Sequence, residues 1–75
     1  MILKSFGKIK EFIPKDVEIN QSFEDLNQLK SYLENLYPEL IPMQYLIAID
    51  HKIIDVHTIL TENSEISLLP PFSGG

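Results

Sequence analysis

The sequence predicts a two-layer α+β domain in which one amphipathic helix covers one mixed sheet. Three observations carry this. Phe23, Leu26, Leu29, Leu33 and Leu36 recur at spacings of three and four, which makes one apolar stripe of a helix over about residues 23–36. Short β-compatible runs lie on both sides of that helix. The chain has 75 residues, enough for one small domain that buries only about 60% of its unfolded surface.

Ile2 to Phe6 is the first β-compatible run, and Val17 to Ile19 the second, with Val17 and Ile19 on one face and Glu18 on the other. Pro14-Lys15-Asp16 is the turn signal between them, so the two runs are expected to pair as a hairpin. Ser22 is the expected helix cap, with Asp25 three residues on as a variant of the capping box, and Glu24 and Asp25 suit the positive end of the helix dipole. Polar Asn27, Gln28, Ser31 and Glu34 take the other faces. Pro38 ends the helix, because the residue before a proline is pushed out of the α region.

Tyr45 to Ile49 is almost continuously apolar, the pattern of a strand covered on both faces. Asp50-His51-Lys52 reads as a turn, Ile53 and Ile54 as a brief further strand, and Asn63-Ser64 as a turn in which Asn accommodates positive φ. Glu65 to Leu69 is the last strand, closed by Pro70 and Pro71, which cannot donate to a ladder. Within it, alternation sends Leu68 to the core and Leu69 away from it. The sheet thus has four to five strands over residues 1–69, followed by a tail at 70–75.

Composition excludes several classes of function. No cysteine is present, so disulfides, thiolate zinc sites and cysteine nucleophiles are absent. Six lysines, no arginine and eleven acids give a net charge of −5, which repels a phosphate backbone and argues against nucleic acid as a partner. The longest pure apolar run, Leu46 to Ile49, is far too short to span a membrane. Met1-Ile2-Leu3 gives way at once to Lys4, unlike a signal peptide, so a cytoplasmic location is expected. His51 and His57 with Asp50 and Asp55 follow no metal-ligand spacing and are expected to be solvated loop residues. Lys8 and Lys10 read as solvated surface, and Tyr32, Tyr37 and Tyr45 have no base beside them in a recognisable pattern. With no catalytic constellation of its own, the chain is expected to act in a partner's active site.

The chemistry lies in the ending Pro70-Pro71-Phe72-Ser73-Gly74-Gly75. Two prolines stiffen the exit from the strand, and two glycines make a thin end free of side chains that fits a narrow channel. A bare carboxylate is a poor electrophile. Adenylation by ATP makes it a mixed anhydride, from which a sulfur nucleophile displaces AMP to leave a terminal thiocarboxylate. The competing reading is a frayed terminus. Average glycine usage puts two glycines at the last two positions in roughly 0.5% of chains by chance, and the Pro-Pro just before them weighs further against that reading.

Leu68-Leu69-Pro70-Pro71-Phe72-Ser73-Gly74-Gly75 resembles the ending of the small subunits of molybdopterin synthase, sulfur carriers of the ubiquitin-like β-grasp fold. Phe6 with Lys8 to Phe12 resembles that family's first strand and helical turn, and Ile47-Ala48-Ile49-Asp50 its third strand, so the likeness runs over essentially the whole chain. The resemblance implies a β-grasp domain and a sulfur carrier for molybdenum cofactor synthesis, not catalytic alone. Gly75 would be adenylated by an activating enzyme related to those of ubiquitin, with ATP used there and no cofactor bound to the carrier. A sulfur donor would convert it to the thiocarboxylate, and Gly75 would then give sulfur to cyclic pyranopterin monophosphate inside the large synthase subunit. Gly74 would allow passage, and Pro70, Pro71, Phe72 and Ser73 would set the tail's direction. The assembly would be a heterotetramer.

By position, Phe6, Ile53 and Leu69 match the family's apolar docking patch. The residues themselves leave Phe6 and Ile53 open to a core reading as well. The sequence departs from the family at Asn63-Ser64-Glu65, where Gly-Asp-Glu is usual, and at Asp50, where Asn is usual. The alternatives are a thiamine-type sulfur carrier, in which Pro-Pro before the tail is generally missing, a ubiquitin-like modifier joined to lysines through Gly75, and a plain β-grasp interaction module with an inert tail.

Overall fold

The computed structural model describes residues 1–53 and 60–71. Five strands, β1 (Ile2–Ser5), β2 (Val17–Glu18), β3 (Leu46–Ile49), β4 (Lys52–Ile53) and β5 (Glu65–Leu69), form one mixed sheet in the order β2-β1-β5-β3-β4. The helix α1 (Leu26–Leu36) separates the first hairpin from the remaining strands. Central β1 and β5 run parallel, with Leu3 opposite Ile66 and Ser5 opposite Leu68, and every other pairing is antiparallel. This mixed five-stranded sheet with one helix is a ubiquitin-like β-grasp domain.

Period-two alternation gives the sheet two chemically distinct faces. Leu3, Ile47, Ile49, Ile66 and Leu68 point to one side, where Leu29 and Leu33 of α1 pack on them. Ile9 and Ile13, from the 3₁₀ segment Gly7–Glu11 and the residues after it, join the same core, as do Ile19 and Leu40. These side chains are almost wholly removed from water, and at about 25 cal/mol per Å² of apolar area each contributes roughly 1.5–3 kcal/mol. The end of the sheet at β2 is closed by the Met1 ammonium, which donates to the carbonyls of Ile19 and Glu62.

The helix begins later than its stripe suggests. Asp25, not Ser22, is the cap: its carboxylate accepts from the Gln28 N–H at 2.9 Å, and the Gln28 side-chain oxygen accepts from the Glu24 N–H at 2.9 Å. This reciprocal pair satisfies two N–H groups at the helix start, which Ser22 cannot do from three residues upstream. Phe23, freed from the helix, tilts against Tyr32 with ring centroids 5.2 Å apart. Leu36 is also not core. It is 48% exposed, and Leu40 from the 3₁₀ turn Pro38–Leu40 is buried in the core instead.

Two turns differ from expectation in detail. Between β3 and β4 the turn is Asp50-His51, with φ of 50° and 71°, and Lys52 already belongs to the strand. Consecutive positive φ values suit a two-residue hairpin because they match the twist of the strands. At residues 61–64, Asn63 is not in the left-handed region. The Ser64 N–H donates to the Thr61 carbonyl at 3.0 Å, and the Ser64 hydroxyl accepts from the Thr61 N–H, which closes the turn without positive φ. Ile54, expected beside Ile53, lies outside the described residues, as do Asp55 and His57.

Candidate functional site: the open sheet face and the root of the tail

Among the described residues, no helix covers the face of the sheet away from α1. Strand register places its side chains in rows. Lys4, Ser67, Ala48 and Ile53 form the middle row, through the pairs Lys4–Ser67, Ser67–Ala48 and Ala48–Ile53. One row nearer the end of β5 lie Leu46 and Leu69, paired with each other, and Phe6, one step beyond the Ser5–Leu68 pair. The Phe6 N–H donates to the Leu68 carbonyl at 3.1 Å, so Phe6 stays attached to β5 although β1 ends at Ser5.

Apart from Lys4 and Ser67, these two rows make an apolar surface. Phe6 is 42% exposed, Leu46 43% and Ile53 61%, while Leu69 is half-buried among them. Phe6 and Ile53 are therefore surface residues, and the core reading left open for them does not hold. Leu46 belongs to the same surface and was not singled out from sequence. Its signal was the alternation Leu46-Ile47-Ala48, hidden because all three residues are apolar. Ser67 and Ala48, both small, form a shallow centre between the larger side chains. In the row below, Glu65 pairs in register with exposed Ile2, and its carboxylate meets Lys4 at 3.4 Å and faces His51 at 3.4 Å.

The tail leaves from this surface. Leu69 is the last residue of β5, Pro70 is half-buried and Pro71 is exposed. Gly7, with φ +60°, lies directly under Pro70: a Cβ at Gly7 would sit 2.7 Å from the Pro70 Cγ. Pro70 and Pro71 form one wall of a groove whose other walls are Gly7, Lys8, Pro42, Met43 and Gln44. Phe72, Ser73, Gly74 and Gly75 lie outside the described residues.

Among the described residues, no group of histidine and carboxylate side chains could hold a metal ion. Asp50 instead accepts a hydrogen bond from the Glu65 N–H at 2.9 Å. Tyr45 donates to the Glu34 carboxylate, and burial together with that hydrogen bond and the nearby negative charge pushes its phenol well above the usual tyrosine range. Burial, and secondarily Tyr32, raise Tyr37. No helix of the described residues is long and apolar enough to cross a membrane.

An apolar face with a proline-stiffened chain leaving its edge suits a protein that docks by its sheet and hands over its terminus. The ThiS family matches residues 3–75, all but two residues of the chain. That match spans both the β-grasp domain and the Gly-Gly ending. Carriers of this kind work with an activating enzyme and a synthase. The chain belongs to the ThiS family of ubiquitin-like sulfur carriers.

Proposed function

We propose that this carrier supplies sulfur for molybdopterin, as the small subunit of a molybdopterin synthase. The observation that carries the reading is the continuity of the docking face with the tail: Leu69, between Phe6 and Leu46 on the open face, is followed directly by Pro70-Pro71-Phe72-Ser73-Gly74-Gly75. The Pro-Pro-Phe-Ser spacing favours this reading over the thiamine-type carrier, which shares the family and the Gly-Gly end.

The chemistry balances in three steps. A Gly75 carboxylate oxygen attacks the α-phosphorus of ATP, and pyrophosphate leaves. A sulfide-level nucleophile from the sulfur donor adds to the acyl-adenylate carbonyl, and AMP leaves with the oxygen it gained. The resulting thiocarboxylate sulfur attacks a carbon of cyclic pyranopterin monophosphate within the large subunit, and the C–O bond at that carbon breaks, its oxygen leaving with the electron pair. Water then releases the carbonyl, leaving sulfur on the pterin and the carboxylate restored. The carrier contributes position throughout: the domain docks, and the tail carries the reacting atom into a site built by another chain.

Phe6, Leu46, Ile53 and Leu69 form the docking patch in this reading, and their apolar area suits an interface of moderate size that must also release. The assembly has two large subunits at its centre and one carrier at each end. The test is intact mass after incubation with the activating enzyme, ATP and a sulfur donor, followed by addition of the large subunit and precursor pterin. A sulfur-for-oxygen gain on the full chain, missing from a chain without Gly75 and discharged by the large subunit with pterin, is the expected result. A gain discharged only by a thiazole-forming synthase would assign the chain to thiamine instead. Attachment to lysines of other proteins would make it a modifier, and no gain with a proven activating enzyme would leave an inert module.

A further inference from the structure

We propose that Gly7 is a positioning residue for sulfur transfer: its missing side chain seats the Pro70 ring and so sets the angle at which the tail leaves the docking face. The proposal rests on the sulfur-carrier reading above.

Gly7 follows Phe6 directly and opens the 3₁₀ segment. Its φ of +60° is one that residues with a Cβ adopt rarely. The space around it is as restrictive as its backbone. A Cβ there would lie 2.7 Å from Pro70 Cγ, 3.4 Å from Cδ and 3.5 Å from Cβ. All three nearest atoms belong to one ring. A flexible side chain would swing aside from such a clash. A proline ring can yield only by the small change of pucker at Cγ, because it is closed onto the backbone nitrogen and fixes φ. Relief beyond that moves the main chain of the tail root.

Position at the root matters because it bounds where the reacting atom can arrive. Five residues beyond Pro70 span at most about 18 Å, so the place and direction in which the chain starts at Pro70 limit the space open to Gly75. While the partner holds the apolar face, the Leu69–Pro70 bond and the contact of Gly7 with the Pro70 ring join that face to the start of the tail. A misplacement of about 1 Å can cost around a hundredfold in rate.

The test separates the contact from backbone strain. Asn accepts positive φ but carries a Cβ, so Gly7→Asn keeps the turn and introduces the clash. Pro70→Ala removes the ring. Wild type, Gly7→Asn, Pro70→Ala and the double variant are compared for thiocarboxylate formation on the activating enzyme, with amide NMR spectra reporting the fold. Gly7→Asn is expected to lower kcat at least about tenfold with KM within about twofold, since the docking face is untouched. The double variant is expected to return to the rate of Pro70→Ala alone. Gly7→Asn equal to wild type, or a folded double variant no faster than folded Gly7→Asn, overturns the proposal. If Gly7→Asn does not fold, a double variant that folds and matches Pro70→Ala supports it, and one that also fails to fold overturns it. A wild-type chain that takes up no sulfur overturns the sulfur-carrier reading itself, a result distinct from any difference among variants.

Discussion

Asp50 and Glu65 are tied by two hydrogen bonds in opposite directions: the Asp50 N–H donates to the Glu65 carbonyl, and the Glu65 N–H donates to the Asp50 carboxylate, each at 2.9 Å. One residue thus ends β3, starts the turn to β4 and anchors the beginning of β5. Asp50 does this with φ of 50°, which a short polar side chain tolerates better than an apolar one. Asp50→Asn keeps both the acceptor oxygen and the turn preference, and is expected to change stability by less than about 0.5 kcal/mol. Asp50→Ala loses the side-chain hydrogen bond and strains the turn, for a loss of about 2 kcal/mol. Urea denaturation of the three proteins measures the difference.

Alkaline pH acts through Tyr45. Its folded pKa is raised above the ordinary value of 10.0, first by burial and then by the hydrogen bond to Glu34. Above about pH 10 the unfolded chain releases a proton that the folded chain retains, so stability falls as pH rises through that range. The contribution is complete below the unfolded pKa. Tyr45→Phe is expected to flatten the decline, leaving the smaller slope that the raised Tyr37 contributes. Denaturation midpoints from about pH 9 to about pH 11 test this, and an unchanged slope in Tyr45→Phe would show that the phenol is not responsible.

Ser5 is buried, and its hydroxyl has no hydrogen-bond partner among the described residues. A buried polar group without a partner costs free energy, so its removal is not expected to harm the fold. Ser5→Ala should leave stability unchanged or raise it by up to about 1 kcal/mol, read as a shift in the thermal midpoint. A loss above that size would reveal a hydrogen bond the hydroxyl makes in solution.

The proposed docking patch yields a paired prediction. Leu46→Lys and Ile53→Lys each place a charge on the open sheet face and are expected to weaken binding to the large subunit of the proposed synthase at least about tenfold, or about 1.4 kcal/mol, without changing the fold. Leu36→Lys is the control. Leu36 is exposed to a degree between Leu46 and Ile53 but belongs to α1, so binding should not change. Calorimetric titration distinguishes the two faces, and equal losses from all three would mean that the patch has no privileged role.

Much of this architecture was legible because its signals are local. Glu65–Leu69 appears with the bounds that alternation and the following prolines dictate. The inward Leu68 and outward Leu69 follow from the same rule. The helix start was less legible because Ser22 and Asp25 are both good caps, and only Gln28, reaching back to the Glu24 N–H, decides between them. Leu46 was obscured by apolar neighbours on both faces of β3. Gly7 could not be read at all. Its requirement arises from Pro70, a residue at the other end of the chain, and nothing near Gly7 in sequence announces that contact.

The parallel pairing of β1 with β5 has a consequence for synthesis. These strands lie side by side at the centre of the sheet, and β5 also supplies the inner partner of β3. A growing chain that has not reached Glu65 therefore holds β1 and β3 with facing edges that nothing joins. Closure waits for long-range contacts, whose loop entropy must be overcome before they stabilise anything. Synthesis interrupted before Glu65 therefore leaves β1 and β3 unjoined, and the sheet closes only once its central strand has been made.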